Sequence, residues 1–349
     1  MTDHHPHRTT DAHPAPAGRP AADSTPAGHP AAHPAPAGRP GSGDAEAAAR
    51  EFTAHRGRLF GLAYRMLGSA AEAEDVVQDA YLRWSGADRG ALTHPGAWLA
   101  KVVTHLCLNR LTSARATRES YTGTWLPEPV LAEAGTGPLE AVERHDDVST
   151  ALLLLLERLT PAERAVYVLR EAFGYPHREI AGLLDLGEAN CRQLYGRAAR
   201  RVAEAGDDGA AARFDPPAPG RRREFVDSFV AAARDGDLAG LEKVLARDVV
   251  WWSDGGGKVR AALRPVRGRD HVVRFLAGVA RRTEEGSRLT VAEVNGAPGI
   301  VQHVGGRITG VATVALRADG RIGEVWFVSN PDKLGHATRR FAAYPEGGG

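Results

Sequence analysis

LTPAERAVYVLREAFGYPHREIAGLLDLGEANCRQLYGRAARRVAEA, residues 159–205, decides how this chain is read. Thr160 stands where a helix needs an N-cap hydroxyl, Pro161 takes the first helical position, and Glu163 at the third completes a capping box. A short helix through Glu179, Ile180, Leu183 and Leu184 follows. After a turn around Asp185 to Gly187, Cys191, Leu194 and Ala198 give the apolar stripe of the next helix. This is helix-turn-helix spacing, which would lay the second helix in the major groove with its first residues at base edges. Glu188, Asn190, Arg192 and Gln193 are then the readers, while Arg197, Arg200 and Arg201 meet phosphate. An ordinary αα-hairpin has the same apolar pattern, so spacing alone leaves both open.

Upstream, FTAHRGRLFGLAYRMLGSAAEAEDVVQDAYLRW predicts two helices. Phe52, Leu59, Leu62, Ala63 and Met66 line one apolar face, and Ala73, Val76, Val77, Ala80 and Leu82 line the next. The second helix is acidic, with Glu72, Glu74, Asp75 and Asp79. Dipole compensation in a first helical turn accounts for Glu72 and Glu74 but poorly for Asp79. The following helix, about 95–113, begins at Pro95 and carries Trp98, Val102, His105, Leu106, Asn109 and Arg110. From Lys101 to Arg118 there are four bases and no acid. An acidic helix followed by a basic one with aromatic and amide groups points to a basic partner and a polyanionic partner. A merely solvated charged surface gives the same pattern.

Taken together, the segments EDVVQDAYLRW, GAWLAKVVTHLCLNRL, LTPAERAVYVLRE and the REIAGLL to RQLYGRAARR pair, in that order, resemble regions two and four of an extracytoplasmic-function sigma factor. The resemblance covers roughly residues 51–205. It implies that Glu74, Asp75, Gln78 and Asp79 dock on core RNA polymerase. It also implies that Trp98, Lys101, His105, Asn109 and Arg110 read the promoter minus-10 element, with Asn109 standing where the family pattern usually has Asp. Glu188, Asn190, Arg192, Gln193, Arg197 and Arg200 fall to the minus-35 element.

From about Arg221 the pattern changes. REFVDSFVAAARDG, DLAGLEKVLA and GRDHVVRFLAGVARR read as helices, and VVWWS and KVRAAL as strands. LTVAEVNG, GIVQHV, RITGVATVALR and RIGEVWFV read as long strands, with turns at Gly305–Gly306 and Asp319–Gly320. Helices followed by an antiparallel sheet make an α+β cone, which resembles the SnoaL-like branch of the NTF2-like fold. The expected architecture is therefore multidomain: two all-α blocks, the second with the helix-turn-helix, and the cone. The divisions fall at 1–44 for a disordered Pro/Ala/His-rich tail, 45–120 and 147–205 for the helical blocks, 121–146 and 206–220 for linkers, and 221–345 for the cone.

DGGGKV at 254–259 invites a phosphate-loop reading. That motif needs a glycine where Trp252 stands, Ser or Thr where Val259 stands, and a following helix; a tight hairpin turn fits better. The chain has four lysines against forty arginines, so lysines at two loop motifs call for a reason. DGGGKV (Asp254, Gly255, Gly256, Gly257, Lys258), NPDKL (Asn330, Pro331, Asp332, Lys333) and WLPEP in the linker (Trp125, Pro127, Glu128) match signatures of a sigma subgroup with a C-terminal extension. The resemblance implies regulation in cis, with no separate anti-sigma factor required.

A second function uses the cone as a cyclase- or isomerase-type enzyme or a small-molecule sensor, with Asp254, His271 or His303 as acid–base candidates. Asp254 reads as part of the glycine turn, and His271 as a first-turn helix residue. No cofactor or metal is expected, and the buried cysteines Cys107 and Cys191 are expected to stay unbridged. No apolar run reaches the 18 to 20 residues of a membrane span, which predicts a cytoplasmic chain without a membrane partner. The net charge of +1 averages over segments of opposite sign.

Overall fold

The computed structural model describes residues 42–119, 121–132, 148–207 and 219–341, among which eleven α-helices and one six-stranded sheet form. The first block is α1 (Ser42–Leu67), α2 (Ala70–Ser85) and α3 (Pro95–Glu119). Gly68, at φ +68°, turns the chain between α1 and α2, and the Ser69 hydroxyl caps α2 by accepting from the Glu72 N–H. Phe52, Leu62, Met66, Val76, Val77, Leu99 and Val103 fill the space between the three helices. Leu82 does not join them. Two residues on from Ala80 it lies on the opposite side of the helix, 62% exposed, and Trp84 takes the inward position with its indole N–H donated to the Ala48 carbonyl.

The second block holds α4 (Thr150–Leu156), α5 (Pro161–Glu171), α6 (His177–Leu183) and α7 (Glu188–Asp207). The capping box at Thr160 and Glu163 forms in both directions. Asp185 carries the α6–α7 turn at φ +54°, a left-handed conformation that Asp and Asn tolerate better than most residues. One continuous apolar core joins this block to the first, running from Leu62 and Met66 to Leu153, Leu156, Val166, Leu169, Ile180 and Cys191. Arg164, 3% exposed, crosses between the blocks and donates to the Met66 carbonyl at 2.8 Å.

The cone begins with α8 (Pro219–Asp235) and α9 (Leu238–Val244), then β1 (Leu245–Asp254), β2 (Val266–Arg267) and α10 (Arg269–Ala280). It closes with β3 (Arg288–Val294), β4 (Ala297–Val304), β5 (Arg307–Leu316), β6 (Ile322–Val328), a 3-10 turn (Pro331–Lys333) and α11 (Gly335–Phe341). Strand order is β2-β1-β6-β5-β4-β3, antiparallel except for the parallel pair β1–β6. Alternating residues split the sheet into two apolar faces. On one, Trp251, Val325 and Ala312 pack with Val226, Phe229 and Val272 from the helices. On the other, Val301, Ile308, Val311, Trp326 and Val328 pack with Leu334 and with Leu126 and Leu131 of the linker.

Two expectations fail here. KVRAAL forms no strand, and the glycines make no hairpin: only Val266 and Arg267 return to pair with β1. Gly256 and Gly257, at φ +59° and +71°, instead carry the chain past the end of β1 toward the linker. Two-residue hairpins form at Asn295–Gly296 between β3 and β4 and at Gly305–Gly306 between β4 and β5, where both residues of each have positive φ, as a turn of the mirror-image type requires.

Candidate recognition surfaces and the linker junction

Along α2, Asp75, Gln78, Asp79 and Leu82 fall at i, i+3, i+4 and i+7 and form one exposed or half-exposed stripe. Glu74 stands beside it, half-buried and paired with Arg56 at 2.6 Å. Asp75 and Asp79 share Arg110 of α3 at 3.4 and 3.2 Å. Arg110, expected at minus-10 DNA, is thus paired with the acidic helix in this structure.

Other residues of α3 are also engaged. Trp98 is half-buried, its ring 5.9 Å from that of Trp84, and Asn109 is exposed. Lys101 donates to the Asp185 carboxylate at 2.6 Å and to the Gly182 carbonyl at 3.2 Å, and His105 Nε2 lies 2.9 Å from the Leu183 carbonyl. On α7, Asn190, Arg192, Gln193, Arg197 and Arg200 are exposed and Glu188 half-exposed. Arg192 folds back onto Glu188 at 2.5 Å, an i,i+4 pair. Arg197 and Arg201 reach the buried Glu163 at 3.4 and 2.5 Å, so the lead-in helix holds two of the expected phosphate contacts.

The third constellation centres on Asp254. It is the last residue of β1 and is 0% exposed, not a turn residue. One carboxylate oxygen accepts from the Tyr121 hydroxyl (2.6 Å) and the Gly256 N–H (3.1 Å); the other accepts from the Leu126 N–H (2.9 Å) and Lys333 Nζ (2.7 Å). The buried Lys333 also donates to the Leu126 carbonyl at 2.6 Å and sits over the Tyr121 and Trp125 rings at 4.8 and 4.2 Å. Both peptide groups of Leu126 are therefore gripped by one ion pair. The Asn330 amide donates to the Tyr121 hydroxyl at 2.8 Å, while its oxygen caps the 3-10 turn at Asp332. Burial first, then the Asp254 hydrogen bond, pushes the Tyr121 hydroxyl above its ordinary pKa.

The three glycines follow from this packing. A Cβ on Gly256 would overlap the Asn330 amide, one on Gly257 would come within 3.1 Å of Thr122, and one on Gly255 within 2.7 Å of the Val259 carbonyl. Lys258 lies outside the cluster, paired with Asp332 at 2.5 Å, both side chains more than half exposed.

From the junction the linker continues to α2. Pro127 is buried, and Glu128 accepts from the Ser69 hydroxyl (2.7 Å) and the Ala71 N–H (3.0 Å), placing a carboxylate at the helix's first turn. Burial pushes the Glu128 pKa up, and those two hydrogen bonds, with the Lys333 charge, pull it back. The Glu128 carbonyl accepts from Tyr64 at 2.6 Å. Gly68 is constrained here too, because a Cβ on it would meet the Trp125 ring at 2.8 Å. At the hairpin tip Asn295 accepts from the Val130 N–H (2.8 Å) and donates to Tyr64 (3.0 Å), and its own N–H donates to the Val130 carbonyl.

Residues 52–117 match Sigma-70 region 2 and residues 149–202 match Sigma-70, region 4. The ECF RNA polymerase sigma factor SigJ of Mycobacterium tuberculosis is 39% identical over 310 residues, covering 86% of this chain and 97% of that protein. The chain belongs to the ECF RNA polymerase sigma factors. A crystal structure of M. tuberculosis SigJ superposes on this sigma factor with a TM-score of 0.65 at 36% identity, covering 85% of this chain and 99% of the other. The probable sigma factor SigI of the same species is 33% identical over 80% of this chain and 92% of that protein.

The alternative acid–base candidates of this sigma factor lie on separate elements. Asp254 already has four donors, His271 on α10 is exposed with Nδ1 3.0 Å from the Arg267 carbonyl, and His303 on β4 contacts Thr290 at 3.0 Å. Sequence reading missed Tyr64, Ser69, Tyr121 and Asn295. Two of these left usable signals: Ser69, an N-cap hydroxyl three residues before Glu72, and Asn295, in the Asn-Gly pair between two apolar strands. No helix among the described residues is long and apolar enough to cross a membrane.

Proposed function

We propose that this sigma factor docks on core RNA polymerase through Glu74, Asp75, Gln78 and Asp79, with Leu82 as an apolar anchor, and directs initiation at its promoters. In this reading Trp98, Lys101, His105, Asn109 and Arg110 serve the minus-10 element, and Glu188, Asn190, Arg192, Gln193, Arg197 and Arg200 the minus-35 element. An exposed leucine amid acids fits a partner that is basic at its rim and apolar at its centre.

The cone regulates these contacts in cis, in place of a separate anti-sigma protein. The observation that carries this is the buried Asp254–Lys333 pair on the Leu126 peptide groups, two residues before Glu128 caps the proposed docking helix. Regulation then needs no signal through the bulk of the protein, only a change in the hold on residues 121–131. Asp254 in this role is a structural anion, since its carboxylate accepts four hydrogen bonds and keeps no lone pair for proton transfer.

The test is run-off transcription with purified core polymerase and promoters recovered by sequencing bound DNA. Lys333→Met and Trp125→Ala are expected to change promoter-dependent output at least 5-fold while core binding persists, and Lys258→Ala to change it less than 2-fold. Equal output from all three would remove the cone from regulation. Absence of any polymerase binding by the wild type would remove the sigma reading itself.

A further inference from the structure

We propose that the α6–α7 turn of region 4 is an internal stand-in for promoter DNA, latched at Asp185 onto the minus-10 face of region 2. The proposal rests on the reading of α3 as a promoter-facing helix and adds its regulation. Lys101 and His105 stand one helical turn apart on α3, and both point at one place. Asp185 Oδ1 accepts from Lys101 at 2.6 Å, and Asp185 Oδ2 lies 3.5 Å from His105 Nε2. The Gly182 and Leu183 carbonyls, at the end of α6, meet the same two side chains at 3.2 and 2.9 Å.

An anionic oxygen pair flanked by neutral carbonyl acceptors is what a nucleic-acid backbone and base edge offer a lysine and a histidine. The turn therefore satisfies the cation and the imidazole with their own ligand chemistry, and DNA and the turn cannot both hold them. The same turn opens α7, whose Glu188 follows Asp185 by three residues, so the contact ties the proposed minus-10 helix to the base of the proposed minus-35 helix. Lys101 also lowers the Asp185 pKa, chiefly through their hydrogen bond, which keeps the acid charged.

Two observations make the contact a latch and not a permanent joint. Lys101 and Asp185 are both substantially exposed, so water and salt screen the pair and it opens at small cost. The turn itself lies at the surface, with Gly182, Asp185 and Gly187 exposed, so it can leave α3 without parting the apolar core that the two blocks share.

The experiment uses the full chain with dyes at the exposed positions Arg83 of α2 and Gly187 of the α6–α7 turn, where an added side chain meets open space, read by energy transfer together with affinity for a fork-junction promoter DNA. Asp185→Asn keeps a residue that tolerates positive φ and removes the charge; Asp185→Lys reverses it. Both are expected to lower energy transfer and to raise DNA affinity about 3- to 10-fold. Lys101→Glu combined with Asp185→Lys is expected to restore high energy transfer. Wild-type energy transfer and affinity in both Asp185 variants, with α3 still crosslinking to minus-10 DNA in the holoenzyme, would overturn the latch alone. Failure of wild-type α3 to crosslink there would overturn the reading beneath it.

Discussion

At the scale of single residues, two lysines that look alike in sequence do different work. Lys333 is buried against Asp254, and removing one partner of such a pair strands the other charge, so Lys333→Met is expected to cost about 3 to 5 kcal/mol. Lys258 is half-exposed beside Asp332, and Lys258→Ala is expected to change stability by less than about 0.5 kcal/mol. Urea titrations of the two variants check the contrast. A parallel role for the two lysines is therefore not what their environments support. His336 of α11 gives a pH test. It is buried beside Phe60, and burial first, then Arg340, Arg339 and Arg56, hold its pKa down at about 4. With the folded value below the unfolded one, the unfolded chain takes up the proton first. Stability from this residue is full above about pH 6.5 and is lost as pH falls toward 4, by roughly 2 to 3 kcal/mol. His336→Phe keeps a ring on Phe60 and is expected to flatten that part of the pH–stability curve.

At the scale of elements, α2 is held from two directions, by Ser69 within the block and by Glu128 from the linker. Glu128→Ala removes the second and is expected to speed amide exchange at Ala71 and Glu72 at least 10-fold, with a loss of about 1 to 2 kcal/mol. Hydrogen-exchange mass spectrometry over the start of α2 reads this directly. On the far side of the helix, Leu82→Asp is expected to weaken core-polymerase binding at least 10-fold without changing the circular dichroism, which a pull-down checks. The helices were legible because capping and apolar spacing are local: Thr160, Pro161 and Glu163 announced α5 by themselves. Leu82 was misplaced because an apolar side chain on a docking face looks like core until Trp84 is seen to occupy the inward position. The glycine turn misled for a different reason. Gly256 and Gly257 answer to Asn330 and Thr122, and nothing in a local pattern says that residues over 70 and 130 positions away press on them. WLPEP and NPDKL were recognisable as motifs through family resemblance, but their meeting at one carboxylate needed the fold.

At the scale of the whole molecule, neither helical block closes its core alone, and one face of the sheet does not either. Region 2 and region 4 share one apolar cluster, and Leu126 and Leu131 of the linker complete another with the cone. A chain ended after Asp207 is expected to expose both leucines and to bind a hydrophobic dye, and its melting is expected to broaden relative to the full chain, seen by calorimetry. The attachment of Glu128 has a mechanical meaning. Its N–H holds the Gly68 carbonyl and its carboxylate holds Ser69 and Ala71, so any load that draws the linker off the sheet arrives at the first turn of α2. The cone and a bound polymerase are thus coupled like two springs sharing one anchor point. Stiffening either end shortens the travel left to the other, and the stretch of chain between Leu126 and Glu128 sets the gearing.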